Sequence, residues 1–184
     1  VVLAMGGFQA NEEMLTRYLG ADLAHSRRLV GSPYSTGDGH LLADAAGAKL
    51  VNMDQFHCSQ ADGNWVPGTA GRPGINQLMS LNNYGIFVNR QGRRFVDESM
   101  AGDSVACSIW GQPHHEATLI LDESIRAMDP AKVDGYIPQG TVIKANSLKE
   151  LAQAVGCPYL ELERTVEEFN AAVRDGVTLG LDVP

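Results

Sequence analysis

The sequence predicts an α+β fold in which an incomplete α/β segment is followed by a larger α+β part. An apolar run opens the chain, ends in two glycines and leads at once into a helical pattern, as strand-turn-helix units do. The later part carries a hairpin signal at 85–96 and two helices near its end. Because this change of character falls near Met53, we expect two parts, residues 1–53 and 54–184.

The first part is predicted to hold two strands and two helices. Residues 1–4 form a continuous apolar run, which fits a strand buried on both faces. Asn11 is expected to cap a helix that stops at Gly20, and acidic residues in its first turn complement the helix dipole. Leucines and alanines at helical spacing predict a second helix over 38–48, and 49–53 is expected to form a strand.

The second part is predicted to contain a hairpin and a further strand. Residues 64–73, rich in glycine and proline, are expected to form a surface excursion. Apolar segments at 85–88 and 93–96 flank an Asn-Arg-Gln-Gly turn in which Gly92 can adopt a positive φ. Residues 117–121, a mostly apolar run, are expected to form another strand.

The last third of the chain is predicted to be mainly helical. A short helix is expected after Asp122, and a brief strand at 141–144. Ser147 and Glu150 have the spacing of a capping box for the next helix. A final helix is expected to have Pro158 in its first turn and to carry one apolar stripe. The residues of that stripe are Leu162, Val166, Phe169 and Val173.

Composition argues against several classes of function. A net charge of -8 and a pI near 5.0 argue against a nucleic-acid partner, which needs clustered basic residues. No apolar run approaches the ~20 residues needed to span a bilayer, and no signal sequence opens the chain, so we expect a cytoplasmic protein. The three cysteines are far apart and lack the close pairs of a structural zinc site, so we expect reduced thiols.

Two local clusters have ordinary explanations. The arginines within 90–94 straddle the predicted hairpin turn and are followed by acidic residues at 97–98, which favours local charge pairing over anion binding. His114 and His115 lack a third ligand at metal spacing. We therefore interpret this histidine pair as part of a loop surface.

Three segments, in this order and spacing, resemble the family of fumarate reductase, succinate dehydrogenase and their soluble FAD-dependent relatives, including tricarballylate and 3-ketosteroid dehydrogenases. They are VVLAMGGF at 1–8, TGDGH at 36–40 and FVNRQGRRFVDE at 87–98. The resemblance implies that residues 1–53 are part of an FAD domain. It also implies that 54–184 form a capping domain, which closes over flavin and substrate. Since the opening strand lies inside such proteins, we expect the chain to be a fragment.

The resemblance implies a cofactor site at the two glycine-rich segments. Glycines after a strand let backbone approach a ligand closely, although a tight strand-to-helix turn in any α/β protein has the same pattern. Met5 stands where the family usually has Thr. The Asp38 carboxylate would lie near the flavin, or it would simply cap the helix, and both can hold. The implied cofactor-binding residues are Ala4, Met5, Gly6, Gly7, Gly37, Asp38 and Gly39.

His57 is the residue that the resemblance implies for catalysis, since relatives place a substrate-binding His at this point. A His can donate to a substrate carboxylate and titrates near neutrality, whereas a structural His after a strand is an equally good alternative. The proton-donating Arg of fumarate reductases corresponds to Gly102, and no Arg or Lys occurs between Arg94 and Arg126. The resemblance therefore implies a reaction other than conventional fumarate reduction.

Two functions remain open from the sequence. The first is an FAD-dependent oxidoreductase that transfers hydride between a small organic substrate and flavin N5, acting on CH–CH groups. The chain lacks a Gly-x-Gly-x-x-Gly segment for the dinucleotide. We therefore expect it to be inactive alone and to need the remainder of the FAD domain as its partner. The second is a non-catalytic α+β module that binds a small molecule or a protein.

Overall fold

The computed structural model describes residues 2–26, 29, 31–57, 60 and 78–176. The described residues up to 57 form one compact unit, and those from 60 onward form a second. The assignment of 1–53 to an FAD domain and of 54–184 to a cap stays a prediction. The predicted surface excursion at 64–73 lies outside the described residues.

The first unit is built from helices. They are α1 (Glu12–Leu19), α2 (Ala21–Ser26) and α3 (Asp38–Ala45). The side chain of Asn11 accepts a hydrogen bond from the N–H of Met14 at 3.0 Å, and Gly20 follows the last residue of α1, so this predicted helix is confirmed. Side chains of α1 and α2 form the small core of the unit: Met14, Leu15, Leu23 and Ala24.

The two strands predicted for this unit are wrong for the residues that are described. Residues 2–4 and 49–53 carry no strand, and the Val2 side chain is 89% exposed. A strand exists only where a neighbour supplies hydrogen bonds to its backbone. The described residues of this unit supply no neighbouring strand, so apolar composition alone does not produce one.

The second unit combines a small sheet with several helices. In chain order its regular elements are β1 (Ile86–Val88), α4 (Gly102–Trp110), β2 (Thr118–Ile120), α5 (Glu123–Met128), α6 (Pro130–Asp134), α7 (Leu148–Val155) and α8 (Tyr159–Asp175), with 3-10 turns at Met79–Tyr84 and Pro113–His115. The predicted helices after Asp122 and Ser147 are confirmed. The final helix is confirmed as well, although it begins at Tyr159 and Pro158 occupies the cap position instead of the first turn. Helices α4 and α6 were not predicted. No described helix of either unit combines the length and apolar character needed for a membrane crossing.

The sheet of this unit has two described strands. Strands β1 and β2 are antiparallel, with Phe87 opposite Leu119, so the strand predicted at 117–121 is confirmed. The predicted second arm of the hairpin, 93–96, is not a strand and makes only a single bridge from Arg94 to Val88. Residues 141–144 also form no strand. The positive φ predicted for Gly92 in the turn is confirmed. Residues 93–96, however, pair with β1 at one position only, which does not make a strand.

Both faces of β1 are buried, because side chains alternate along a strand. Ile86 and Val88 pack against Ala152 of α7 and Leu162 of α8. Phe87 points the other way and packs with Val96 and with Val105 of α4. In the predicted stripe of α8, Leu162, Val166 and Phe169 join this core, whereas Val173 is 55% exposed and lies beyond it.

Helix α8 also holds the hairpin turn directly. Gly92 has φ +76°, and a Cβ there would lie 3.0 Å from the backbone nitrogen of Leu162. The Thr165 hydroxyl donates to the carbonyl oxygen of Gly92 at 2.8 Å. Outside this contact, Arg93 pairs with Glu161 at 3.1 Å. A glycine is required here both by the turn and by the closeness of α8.

A buried ion pair fixes the end of the hairpin. Arg94 and Glu98 lie 2.6 Å apart with 10% and 6% of their side chains exposed. The Glu98 carboxylate also accepts the backbone N–H of Phe87 at 2.7 Å, and the guanidinium lies over the ring of Phe169 at 5.1 Å. Local charge pairing of this arginine is therefore confirmed. The same hairpin carries a more exposed pair, Arg90 with Glu116, at 2.6 Å.

Candidate functional site

The first unit brings the two predicted glycine segments together. The N–H of Gly37 donates to the carbonyl oxygen of Gly7 at 3.1 Å. Asn11, which caps α1 through its oxygen, uses its amide nitrogen to donate to the carbonyl oxygen of Thr36 at 2.8 Å. These bonds join residues about thirty positions apart, so the contact between the segments is a result of folding that sequence spacing does not reveal.

The two segments contain four glycines: Gly6, Gly7, Gly37 and Gly39. Two of them are required by their backbone conformation. Gly6 has φ +80° and Gly37 has φ +84°, a region that costs an L-residue roughly 1–2 kcal/mol. At Gly37 a Cβ would also lie 2.9 Å from the Cβ of Phe8 and would overlap the sulfur of Met14. Gly37 is thus needed by the fold of this unit.

The other two glycines are not required in this way. A Cβ at Gly7 would meet the Oε1 end of Gln9 at 2.6 Å, and that flexible amide can move aside. A Cβ at Gly39 would make ordinary contact with the Cβ of Met5 at 3.4 Å. The fold explains Gly6 and Gly37, and Gly39 is buried beside Met5. Gly7 is left as half-buried backbone that a ligand can approach once Gln9 moves aside.

Asp38 does not cap α3, which corrects the prediction. It is the first residue of the helix, and the cap position belongs to Gly37, which has no side chain to offer. The carboxylate instead accepts a hydrogen bond from the hydroxyl of Thr36 at 2.9 Å and is exposed. Its negative charge still lies in the first turn, where it complements the helix dipole.

His57, the predicted catalytic residue, lies in the same unit with an exposed side chain. It follows a turn in which the N–H of Gln55 donates to the carbonyl oxygen of Asn52 at 3.1 Å. The hydrogen bonds that join the glycine segments do not involve His57. Ala4 and Met5, also predicted to bind the cofactor, precede Gly6 and are exposed.

Sequence reasoning missed His40. Its Nδ1 atom is buried and has no hydrogen-bond partner. The ring packs edge-on against Phe8, with centroids 5.4 Å apart, and Phe8 in turn contacts Tyr18. The sequence feature that could have identified His40 is its position directly after the Gly-Asp-Gly segment, on the first turn of α3.

In the second unit, Gly102 is the first residue of α4. A Cβ at this position would lie 3.1 Å from the Cε of Met79, so a methionine methyl group adjoins Gly102. No group of three or more metal-binding side chains was found within the described ranges. Cys107 and Cys157 form no disulfide, and burial raises the pKa of the Cys157 thiol.

The two glycine segments, residues 6–7 and 37–40, meet through the bond from Gly37 to Gly7, and we call this region the glycine junction. Its residues fit a flavin nucleotide on two grounds. Gly7 leaves half-buried backbone without a Cβ, which allows a flat ring or an anion to approach its amide group. The Nδ1 atom of His40 is an orphaned buried polar atom in the same cluster, and such atoms are rare in folded proteins. The exposed apolar residues beside the junction, Leu3 and Met5 among them, suit a site that further protein covers.

Known proteins resemble this chain over nearly its whole length. Residues 1–180 match the family described as the FAD binding domain. The chain is 34% identical to 3-oxosteroid 1-dehydrogenase from Mycobacterium tuberculosis, over 96% of this chain and 33% of that protein. It is 31% identical to fumarate reductase (cytochrome) from Shewanella frigidimarina, over 100% of this chain and 31% of that protein.

A solved structure gives the same result. The crystal structure of 3-ketosteroid delta1-dehydrogenase from Sterolibacterium denitrificans in complex with 1,4-androstadiene-3,17-dione superposes with a TM-score of 0.70 at 26% identity, covering 96% of this chain and 33% of that one. The chain thus spans about a third of the length of these relatives. With nearly all of its residues matched, the chain belongs to the FAD binding domain family.

Proposed function

We propose that the chain is part of an FAD-dependent oxidoreductase that acts on CH–CH groups of a small organic substrate. The match of residues 1–180 to the FAD binding domain family carries this proposal. The named relatives, a steroid dehydrogenase and a fumarate reductase, support the same reaction class. FAD supplies the hydride acceptor or donor at flavin N5.

In this proposal residues 1–53 contribute to the FAD domain and 54–184 form a cap over flavin and substrate. The backbone of Gly6, Gly7 and 37–39, with Ala4 and Met5 before it, lies against the flavin. The hydrogen bond between Gly37 and Gly7 supports this role because it holds the two glycine segments side by side. The cap excludes water from the reacting atoms.

The chain alone is proposed to bind FAD weakly and to need the remainder of the FAD domain. The exposed side chains of Val2, Leu3, Leu41 and Leu42 support this view, since apolar surface beside a cofactor site is usually covered. Titration of the 184-residue chain with FAD, followed by flavin fluorescence, is the test. Stoichiometric binding well below micromolar would show that the dinucleotide site is already complete.

The same titration on a longer protein that contains this chain separates enzyme from binding module. We expect bound FAD with its absorbance bands and reduction of that flavin by substrate. A longer protein that purifies without flavin and gains none on addition of FAD would favour the non-catalytic module.

His57 is proposed to contact the substrate and to handle its proton. Exposure of its side chain leaves it accessible to a ligand. Replacing His57 by Ala in the longer protein should lower turnover on the order of 10²-fold if it acts as an acid or base. The exposed His25 of α2 offers a matched control whose replacement leaves turnover unchanged. Equal turnover in both variants would remove His57 from the reaction.

The reaction is proposed to differ from conventional fumarate reduction. Gly102 has no side chain to deliver a proton, and Met79 lies beside it. Binding of a dicarboxylate substrate also needs a fixed positive charge in the site. Arg94 does not offer this charge because it is paired with Glu98. We expect slow or absent reduction of fumarate by the longer protein with reduced flavin. Rapid reduction would show that another residue supplies charge and proton.

A further inference from the structure

His40 stands out among the residues that the proposed function leaves without a task. Its Nδ1 atom is buried and makes no hydrogen bond, although a buried polar group without a partner costs roughly 1–3 kcal/mol. The residue as a whole is only half-buried, so part of it remains accessible. A ring placed at such cost, beside the glycine junction, requires an explanation.

The burial of Nδ1 indicates which nitrogen carries the hydrogen. A neutral imidazole has one N–H and one lone pair. Orphaned buried N–H groups are rarer than buried acceptors without a partner, so the lone pair belongs on Nδ1 and the hydrogen on Nε2. His40 is then a donor through Nε2, the nitrogen through which a ligand can be bound.

The surrounding residues hold this donor in place. The ring lies on the first turn of α3, one residue after Gly39, and packs edge-on against Phe8 at 5.4 Å. Phe8 directly follows Gly6 and Gly7, and its Cβ would be only 2.9 Å from a Cβ at Gly37. The donor is therefore fixed between the two glycine segments, and little side-chain entropy is lost when it binds.

We propose that His40 donates a hydrogen bond from Nε2 to an oxygen or nitrogen of bound FAD and so helps to fix the cofactor at the glycine junction. This inference rests on the proposed function. It assigns a cofactor contact to a residue outside the glycines, while Nδ1 stays a buried acceptor. The flavin ring and the nucleotide part of FAD both carry hydrogen-bond acceptors, and the Nε2 N–H of His40 can donate to either.

Three substitutions in the longer flavoprotein test the assignment. A Gln side chain can place its amide N–H near the position of histidine Nε2, whereas an Asn side chain reaches only the position of Nδ1. Phe keeps the contact with Phe8 and removes both nitrogens. We expect H40N and H40F to weaken FAD binding about tenfold, the effect of losing one hydrogen bond, and H40Q to stay within about twofold of the native value.

Dissociation of FAD is measured by flavin fluorescence, and the melting temperature of each apoprotein reports folding separately. A purely structural role would lower the melting temperature of H40N and H40F and leave FAD affinity equal among the proteins that fold. Equal affinities in all variants would overturn the inference, as would native affinity in H40N with loss in H40Q. A native protein that binds no FAD would overturn the proposed function together with this inference, whereas FAD binding indifferent to His40 would overturn the inference alone.

Discussion

Replacement of Glu98 by Gln is expected to destabilise the second unit strongly. Glu98 is a buried carboxylate. It accepts hydrogen bonds from two nitrogens of Arg94, at 2.6 Å and 3.0 Å, and from the N–H of Phe87 at 2.7 Å. The glutamine has the same shape and can still accept one N–H. It removes the negative charge that compensates the guanidinium of Arg94, a side chain that is only 10% exposed.

The magnitude follows from the burial of the remaining charge. Removing one partner of a buried pair costs about 3–5 kcal/mol, because the other charge stays desolvated without compensation. The contact of the guanidinium with the Phe169 ring at 5.1 Å is present in both proteins and cancels from the difference, whereas the hydrogen bond that glutamine still accepts places the loss at the lower end of this range. We therefore expect E98Q to lose about 3 kcal/mol, which is a large share of the 5–15 kcal/mol typical of a domain.

The pair of Arg90 and Glu116 on the same hairpin is the matched control. Its side chains are 52% and 59% exposed, so E116Q should cost less than about 1 kcal/mol. Urea unfolding of the chain, followed by far-UV circular dichroism, gives both free energies. A loss below 1 kcal/mol in E98Q, equal to that in E116Q, would refute the view that burial makes this pair important.

Three further outcomes are expected. G37A should destabilise the first unit more than G47A, because both positions have positive φ but only at Gly37 does a Cβ meet other atoms; equal urea midpoints would contradict this. Hydrogen bonds from a serine hydroxyl two residues on and from a helix N–H lower the pKa of the Asp122 carboxyl, so its stabilising effect is complete above the unfolded pKa and is lost as pH falls through the folded one. D122A and native protein should therefore converge in unfolding free energy below about pH 4, and a constant difference down to pH 2 would contradict this. Iodoacetamide should label Cys107, which is exposed, before Cys157, whose pKa is raised by burial; mass spectrometry of timed samples would show the reverse order if this reasoning fails.

Helices with a local cap were predictable from sequence. Asn11 and Ser147 each accept a hydrogen bond from the N–H three residues on, and this chemistry is visible in a few adjacent residues. Helix α4 was missed because its cap residue, Ala101, offers no side-chain bond and a glycine follows it. Strands at 49–53 and 141–144 were predicted from composition, but a strand also needs a partner that composition does not provide.

The candidate site was predicted only in part for the same reason. The glycine segments were identifiable, since a strand-like run followed by glycine is a local pattern. The hydrogen bond from Gly37 to Gly7 depends on folding of the intervening helices. The burial of Nδ1 in His40 depends on Phe8, a residue more than thirty positions earlier. No periodicity in the chain reports such a contact.

The contact between the hairpin turn and α8 has a consequence for synthesis of the chain. The bond from Thr165 to Gly92 spans 73 residues. At ~5–20 residues per second, the ribosome completes the hairpin about 4–15 s before the helix that covers it. During that interval the apolar face formed by Ile86 and Val88 has no cover. The second unit therefore cannot close until α8 has been synthesised, and its nascent strands stay accessible to chaperones until then.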